Sequence, residues 1–241
     1  MRYRINQFLS QAGVCARRKS NLMIKEGRVF INGKHAQIGD VVETTDCVSV
    51  DGSPVRLRHE KIYFLYYKPR GVVTSMNKNA HNNLVHHIQT PIPVFPVGRL
   101  DKLSEGLILL TNDGALSHAL SNPNNHHEKT YRVTVDKEIN ADFITALRKG
   151  VNILNTRTRP CIVETIDCVT FDITLTQGLN RQIRRMCQVH NYRVLRLIRT
   201  KIMHLEPQLN VGEIRPLTDA EVLILHTRLK TKDTTDEKQT K

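Results

Sequence analysis

Apolar residues at helical spacing predict two helices near the start of the chain. They recur on one helical face between residues 5 and 12, and Gly13 ends that pattern. A second helix is predicted over residues 16–25, because Gly27 suits the position that follows a helix end. The chain is therefore predicted to open with a pair of short helices.

Short apolar runs separated by turn residues predict strands after these helices. Residues 29–31 are apolar and precede Asn32-Gly33, the strongest short-range signal for a β-hairpin. Further short strands are predicted at residues 41–42 and 48–50. Pro54 and the polar residues after it predict a linker, so residues 1–58 are predicted to form a small α/β domain.

The hydrophobic pattern from residue 62 onward is that of a larger α+β domain. Alternation or short apolar runs predict strands at residues 62–67, 107–110, 131–135 and 169–175. Asn140 and Gly150 bracket one predicted helix, and a shorter helix is predicted over residues 181–189. Residues 229–241 are polar and of low complexity, which predicts a disordered tail after a domain of residues 62–228.

Composition excludes several classes of protein. Of the 241 residues, 39% are hydrophobic, which is enough for a core and argues against wholesale disorder. No apolar run approaches the ~18 residues that span a bilayer, and the first residues lack a secretory apolar region. The five cysteines are irregularly spaced without a CxxC pair, which argues against a disulfide framework and a structural zinc site. We expect a cytoplasmic protein.

Charge adds a candidate partner to this picture. There are 36 basic and 23 acidic residues, a net charge of +13. Eight basic residues and one acid lie in residues 2–39, and seven basic residues and no acid lie in residues 181–201. Neither stretch has the wide apolar face and aromatic anchors of a membrane-surface helix. Nucleic acid is therefore the predicted polyanionic partner rather than a membrane, with a merely solvated basic surface as the alternative.

No motif for a nucleotide, a dinucleotide cofactor or a metal is evident. Residues 27–34, GRVFINGK, have five residues between the glycines where a phosphate-binding P-loop has four, and His35 follows where Ser or Thr would bind Mg²⁺. No GxGxxG follows a strand, and no HExxH or cysteine accompanies the paired histidines. We therefore expect neither a cofactor nor a metal site.

The most informative segment is residues 98–114, GRLDKLSEGLILLTNDG. Arg99 and Asp101 lie in a short polar loop before an apolar run. A loop carboxylate at the end of a sheet strand is a candidate catalytic group. By spacing alone, a structural Arg99–Asp101 pair or a simple turn explains the same residues.

This segment resembles the signature of pseudouridine synthases of the RsuA/RluB/RluF type. Three further elements resemble that family in the expected order: KPRG at residues 68–71 with Thr74, EKTYRV at residues 128–133, and GLNRQIRRM at residues 178–186. The first 58 residues are similar to an S4 RNA-binding domain. The stretches HEKTYRVTVDK and RTKIM look closest to the RluF branch, which acts on large-subunit ribosomal RNA.

The resemblance implies a fold and an activity. The fold would be an S4-like α/β domain followed by a catalytic domain with a mixed, largely antiparallel sheet flanked by helices. The activity would be the isomerisation of a specific uridine in large-subunit (23S) ribosomal RNA, with a transfer RNA as a second candidate substrate. A non-catalytic S4-type ribosome-binding protein is the alternative from another class. A cofactor-independent monomer is expected.

The resemblance also implies roles for single residues in the catalytic domain. Asp101 matches the catalytic aspartate, and Tyr131 matches the aromatic residue on which the extruded base rests. Arg184 matches an arginine that pairs with Asp101 and favours its charged form. Arg99 is expected to orient the loop and contact substrate. Tyr131 as a plain core residue, and Arg184 as a phosphate contact, are the alternatives.

Basic side chains around these motifs are the predicted RNA contacts, because cationic groups bind phosphates with little sequence information. In the S4-like domain they are Arg17, Arg18, Lys19, Arg28 and Lys34. In the catalytic domain Arg181 and Arg185 share a helical neighbourhood with Arg184, at positions i, i+3 and i+4.

Overall fold

The computed structural model describes residues 2–57, 60–77 and 79–236, with side chains through residue 229. The backbone divides into two compact units. The amino-terminal unit comprises Met1–Ile62 together with Thr90–Val94 and Asn112–Gly114. The carboxy-terminal unit comprises Tyr63–Gln89, Phe95–Thr111 and Ala115–Lys241.

The amino-terminal unit combines two helices with short strands. Its elements are β1 (Arg2–Arg4), α1 (Ile5–Gln11), α2 (Arg17–Lys25), β2 (Val29–Ile31), β3 (Lys34–His35), β4 (Val41–Glu43), β5 (Val48–Val50) and β6 (Ser53–Val55). A four-stranded antiparallel sheet has the order β3-β2-β5-β6, and β1 pairs with β4. The predicted helices and the hairpin are confirmed, since Asn32 (φ 50°) and Gly33 (φ 78°) adopt the left-handed turn conformation between β2 and β3.

Pro54 lies in a strand and not in the predicted linker. It belongs to β6 and faces Ser49 of β5. Strand β6 is at the sheet edge, where the missing N–H of proline is tolerated. Residues 58 and 59 of the predicted linker lie outside the described residues.

The rest of the chain supplies the elements of the larger domain. The strands are β7 (Tyr63–Lys68), β8 (Phe95–Pro96), β9 (Glu105–Thr111), β10 (Lys129–Val135), β11 (Asn152–Ile153), β12 (Thr156–Arg157), β13 (Ile162–Thr165), β14 (Thr170–Leu175), β15 (Val194–Ile202) and β16 (Ile214–Pro216). The helices are α3 (Leu84–His87), α4 (Gly114–Ser121), α5 (Ala141–Lys149), α6 (Gln182–Val189) and α7 (Asp219–Asp236), with a 3₁₀ turn at Pro123–Asn125.

Eight of these strands form one mixed sheet. Its order is β13-β14-β10-β15-β9-β7-β16, and β8 pairs with β9. Each pair is antiparallel except β15 with β9, which is parallel. The expectation of a mixed, largely antiparallel sheet flanked by helices is therefore confirmed. Strand β15, which follows α6 in sequence, lies in the middle of the sheet.

Helix α5 begins and ends as its sequence predicts. The Asn140 side chain accepts a hydrogen bond from the Phe143 amide at 2.8 Å, which is an N-cap. Gly150 follows the helix at φ 85°. Phe143 and Leu147 are buried in a core cluster that also contains side chains of β10, β14 and α6. The cap and the apolar stripe together fix the position of this helix over the sheet.

The predicted tail begins at residue 229, within the last helix of the described chain. Helix α7 continues through Asp236 without a break at residue 228, and Leu225 near its middle is fully buried. Residues 237–241 lie outside the described residues. Within the described part of the chain, no helix combines the length and the apolar character that a membrane span requires.

Candidate active site

Asp101 occupies a loop that is fixed on both sides. The backbone of the preceding residue, Leu100, forms two hydrogen bonds with the Thr74 hydroxyl. The hydroxyl donates to the Leu100 carbonyl at 2.7 Å and accepts from the Leu100 amide at 3.2 Å. The carbonyl of the following residue, Lys102, accepts from the Gly71 amide at 2.7 Å. The segment after β7, which carries KPRG and Thr74, therefore holds the backbone of the Asp101 loop.

Lys68 shapes that segment from inside the protein. Its side chain is fully buried, and Nζ donates to the carbonyls of Pro69 and Val72, both at 2.8 Å. Burial lowers the pKa of Lys68 to about 8, although the negative charges of Glu105 and Asp101 act in the opposite direction. The turn that anchors Asp101 is thus built around a buried amine.

Arg184 approaches the same loop from α6. Its Nη1 donates to the Val194 carbonyl at 3.0 Å, and its Nη2 donates to the Leu103 carbonyl at 3.2 Å. Burial and the charge of Arg181 lower the pKa of Arg184, and the negative charge of Asp101 raises it. In the described part of the chain, the guanidinium contacts the carbonyl two residues after Asp101 and acts on the carboxylate only through space. It holds the loop as well as placing a positive charge near it.

Tyr131 packs against the core and also lines a cavity. It lies in β10 opposite Ile173 of β14 and Arg199 of β15. The half-buried ring packs against the core cluster around Val133, and it also lines a cavity. A register shift between Thr130 and Tyr131 interrupts the regular ladder at this point. The ring is therefore supported from behind by the core.

The cavity has a volume of about 160 Å³. It is lined by residues 97–99 of the Asp101 loop, by residues 120–123 and 176–178, and by side chains of β9, β10 and β15. Two predicted residues, Arg99 and Tyr131, face it together. Asp101 and Arg184 are not among its lining residues, but Gly98 and Arg99 on the Asp101 loop are.

Several polar residues of this cavity were not predicted as site residues. They include Lys129, Gln177 and Arg199. Arg199 is only 2% exposed, and its Nε donates to the Leu107 carbonyl at 2.6 Å. Burial, together with the charge of Arg199, lowers the pKa of Lys129 to about 8. The alternating pattern of β15 was the signal that could have indicated a buried Arg199. The many arginines of this stretch instead favoured the prediction of an exposed basic surface.

The predicted RNA contacts are mostly accessible side chains. Arg17, Arg18 and Lys19 are exposed in the first turn of α2, and Lys34 is exposed in β3. Arg181 is exposed just before α6, and Arg185 donates to the Asn180 carbonyl and side chain at 3.1 and 3.2 Å. Arg28 differs, because its guanidinium forms ion pairs with Asp51 and Glu26.

Two family models match the chain. The model described as RNA pseudouridylate synthase matches residues 62–189, and the S4 domain model matches residues 4–48. The first covers the Asp101 loop, Tyr131 and Arg184. The second lies within the amino-terminal unit and covers α1, α2 and the hairpin of β2 and β3.

Curated relatives and a solved structure extend the similarity over nearly the whole chain. The dual-specificity RNA pseudouridine synthase RluF of Salmonella typhi is 44% identical, over 92% of this chain and 78% of that protein. The ribosomal large subunit pseudouridine synthase B of Bacillus subtilis (strain 168) is 34% identical, over 91% and 93%. A crystal structure of a pseudouridylate synthase aligns with a TM-score of 0.69 at 29% identity, covering 92% of this chain and 99% of that one.

Proposed function

The chain belongs to the RNA pseudouridylate synthase family and carries an S4 domain, and from this membership we propose that it isomerises specific uridines in large-subunit ribosomal RNA and in a transfer RNA. The substrate class rests on the similarity to an RNA synthase of dual specificity and to a large-subunit ribosomal synthase. A cytoplasmic location follows from these RNAs. The alternative of a non-catalytic ribosome-binding protein has no observation in its favour.

The observation that carries the catalytic assignment is the double anchoring of the Asp101 loop. Thr74 and Gly71 hold the residues on either side of Asp101, and Arg184 holds Leu103. A reacting carboxylate must be placed to a fraction of an ångström, because a misplacement of ~1 Å can cost ~10²-fold in rate. Such anchoring is what a catalytic carboxylate needs and what an ordinary surface turn does not.

The reaction needs one positioned carboxylate and no redox partner. The N1–C1′ bond of uridine breaks, the uracil turns, and C5 bonds to C1′. C5 loses its hydrogen as a proton and N1 gains one, so the product is an isomer of the substrate. Asp101 supplies the carboxylate that acts as the nucleophile in this sequence. Arg184 holds the Leu103 carbonyl of the same loop and places a positive charge near the carboxylate.

The target base must leave its stack before this chemistry begins. Tyr131 offers a half-buried ring, backed by the core, on which an extruded uracil stacks. Stacking of a base on an aromatic ring contributes ~1–3 kcal/mol. Arg99, which lines the same cavity, contacts the extruded nucleotide.

The basic side chains outside the cavity provide affinity for RNA. The phosphate-binding residues are Arg17, Arg18, Lys19 and Lys34 in the amino-terminal unit, Arg181 just before α6 and Arg185 within it. Arg28 belongs to the same surface with its charge partly neutralised by Asp51 and Glu26. We assign RNA binding to residues 1–58 and catalysis to the domain that begins at residue 62.

The direct test is release of tritium from uracil C5, since the new C5–C1′ bond must expel that hydrogen. The wild type, Asp101→Asn and Asp167→Asn are incubated separately with labelled large-subunit ribosomal RNA, transfer RNA and small-subunit ribosomal RNA. Asp167 lies in an exposed turn and accepts from the Val169 amide, so its variant is a matched aspartate control. Binding of each RNA is measured in parallel.

We expect release by the wild type and Asp167→Asn from the first two RNAs. Asp101→Asn should bind RNA within about threefold of the wild type and release nothing above background, because an amide is no nucleophile. Turnover by Asp101→Asn contradicts the catalytic assignment. Tight binding by the wild type with no release from any of the three RNAs contradicts the proposed activity and favours a binding protein.

A further inference from the structure

The cavity beside Tyr131 contains two buried hydrogen-bond donors that are unused. In the part of the chain that the structure describes, neither Nη2 of Arg199 nor Nε2 of Gln177 has a hydrogen-bond partner. Both residues line the cavity, and Arg199 is only 2% exposed to solvent. A buried donor without a partner is costly, so each is positioned for an acceptor that arrives from outside.

The remaining atoms of these two side chains are held in place. Nε of Arg199 donates to the Leu107 carbonyl at 2.6 Å, and Oε1 of Gln177 accepts from the Arg159 amide at 3.2 Å. The anchored atoms fix the guanidinium and the amide, while the NH₂ groups at Nη2 of Arg199 and Nε2 of Gln177 stay available. Preorganised donors of this kind are a feature of sites that stabilise developing negative charge.

The cavity also carries positive charge without a carboxylate partner. Among the described residues, the ion pairs include neither Arg199 nor Lys129, and the nearby carboxylate of Glu105 is paired with Arg196 at 2.6 Å. Nζ of Lys129 donates to the His127 carbonyl at 3.2 Å. A buried cation that lacks a protein counter-charge favours a ligand that brings an anionic or partly anionic oxygen.

Part of the remaining wall of the cavity is apolar or aromatic. Leu109 and Ile202 line it together with Tyr131, whose cross-strand neighbour is Arg199. The combination of a stacking ring with donors beside it suits a flat heterocycle with carbonyl oxygens at its edge. A phosphate group would use the donors but would gain nothing from the ring.

We propose that Arg199 and Gln177, supported by the charge of Lys129, bind a carbonyl oxygen of the extruded uracil and stabilise the negative charge that develops on it. This inference rests on the proposed function. When the N1–C1′ bond breaks, its electron pair passes to N1 and spreads onto the O2 and O4 atoms. If Asp101 instead adds to C6, the electrons of the C5–C6 bond pass to O4. Both routes therefore place charge on a carbonyl oxygen before C5 loses its proton.

If the bound oxygen is O4, the same donors also discriminate between pyrimidines. Uracil presents an acceptor at position 4, whereas cytosine presents an amino group, which is a donor. A cytosine 4-amino group placed against Arg199 or Gln177 would set donor against donor and leave buried groups unpaired. Such a mismatch can reject an analogue by ~10⁴-fold.

The test separates the chemical step from RNA affinity. Arg199→Met, Arg199→Lys and Gln177→Glu are compared with the wild type by single-turnover tritium release at saturating large-subunit ribosomal RNA, and by RNA binding across a salt series. Gln177→Glu keeps the acceptor for the Arg159 amide but replaces the free donor by an acceptor. Arg132→Gln is the control, because it also removes a positive charge from the sheet but lies exposed in an ion pair with Asp172.

We expect Arg199→Met and Gln177→Glu each to lower the rate about 100-fold, the usual effect of losing one such donor, with RNA affinity within about threefold. Arg199→Lys should retain part of the rate, and Arg132→Gln should match the wild type. Thermal unfolding confirms that each variant folds. If Arg199→Met does not fold, the isosteric Gln177→Glu decides the question alone.

A second measurement identifies the oxygen. Transcripts are prepared with 2-thiouridine or 4-thiouridine, and the product nucleosides are separated after nuclease digestion. Because sulfur is the poorer acceptor, one of the two should slow the wild type, and Gln177→Glu or Arg199→Met should abolish that difference. The same slowing in wild type and variants overturns the inference.

Three other outcomes distinguish a failure of this inference from a failure of the proposed function. Variants with the wild-type rate overturn the inference while the proposed function stands. Variants with a normal saturating rate, weaker affinity and a shallower salt dependence assign the cavity to a phosphate instead. No release by the wild type overturns the proposed function, and this inference with it.

Discussion

The hydroxyl group of Thr74 is a small feature with a large expected effect on the Asp101 loop. It is buried, donates a hydrogen bond to the Leu100 carbonyl and accepts one from the Leu100 amide. Thr74→Val keeps the shape but leaves the Leu100 amide and carbonyl unpaired, which costs ~1–3 kcal/mol. We expect single-turnover tritium release to fall ~10- to 100-fold with RNA affinity unchanged, since Asp101 is no longer held in place.

Two further variants show whether this effect is one of position. Ser20→Ala removes another buried hydroxyl, which donates to the Ala16 carbonyl at 3.3 Å in the amino-terminal unit. It should lower the melting temperature but not the rate at saturating RNA. Thr74→Ser restores the hydroxyl and should restore most of the rate. Equal loss of rate in Thr74→Val and Ser20→Ala would mean that general destabilisation, rather than loop placement, is responsible.

For single residues, the sequence predicts local hydrogen bonds better than it predicts which side chains are buried. The N-cap of Asn140 follows from a few neighbouring residues, and the structure confirms it. The buried position of Arg199 does not follow from its neighbours, because it depends on β15 lying between β9 and β10. In the sequence Arg199 is one of several basic residues of the same stretch, and nothing local separates it from those that face solvent.

The parallel pairing of β9 and β15 depends on a glycine. Gly106 has φ 107°, and a Cβ atom there would lie 2.3 Å from the Arg199 carbonyl oxygen. Because backbone atoms of a central strand cannot move aside cheaply, we expect Gly106→Ala to lower the melting temperature strongly and to displace Arg199. Denaturant unfolding, with tritium release as the second measurement, tests this.

Gly212→Ala provides the comparison for Gly106. Gly212 also has a positive φ, 84°, but no atom lies within 4 Å of a Cβ placed there. Its variant carries only the ~1 kcal/mol cost of a side chain in that backbone conformation. A loss of stability in Gly106→Ala no larger than in Gly212→Ala would show that strands β9 and β15 can separate to admit a methyl group.

Elements with a regular apolar period were predictable, and those with mixed character were not. Strands β7, β10 and β14 follow their apolar runs, since one face of each is buried. Strand β15 places Arg196 and Arg199 among apolar residues, and register shifts against β10 break its period. Residues 229–241 are polar and of low complexity, so their composition favoured a tail, although α7 extends to Asp236. Long-range packing decides the position of β15.

The net charge of the whole molecule makes RNA binding sensitive to salt. Each phosphate contact contributes about 0.7–0.9 to the slope of log affinity against log salt concentration. We expect the triple variant Arg17→Gln, Arg18→Gln, Lys19→Gln to bind large-subunit ribosomal RNA more weakly and to lower that slope by about 2–3. The tritium release rate at saturating RNA should not change, because these residues take no part in the chemistry.

Arg28→Gln is the matched control for the exposed cluster. Its charge is already partly neutralised by Asp51 and Glu26, so the slope should change by well under one contact. If the triple variant has the same salt dependence as the wild type, the first turn of α2 does not contact RNA phosphates. A fall in the saturating rate would instead assign these residues a part in catalysis.

The central position of β15 has a consequence for how the molecule is made. Strands that are adjacent in the sheet are distant in the chain, which raises the contact order and slows folding. During synthesis from the amino terminus, β9 and β10 are complete before the strand that separates them exists. A nascent chain stopped before residue 194 contains Asp101 and Tyr131 but lacks the strand that joins β9 to β10. We therefore expect catalysis only after β15 has been made.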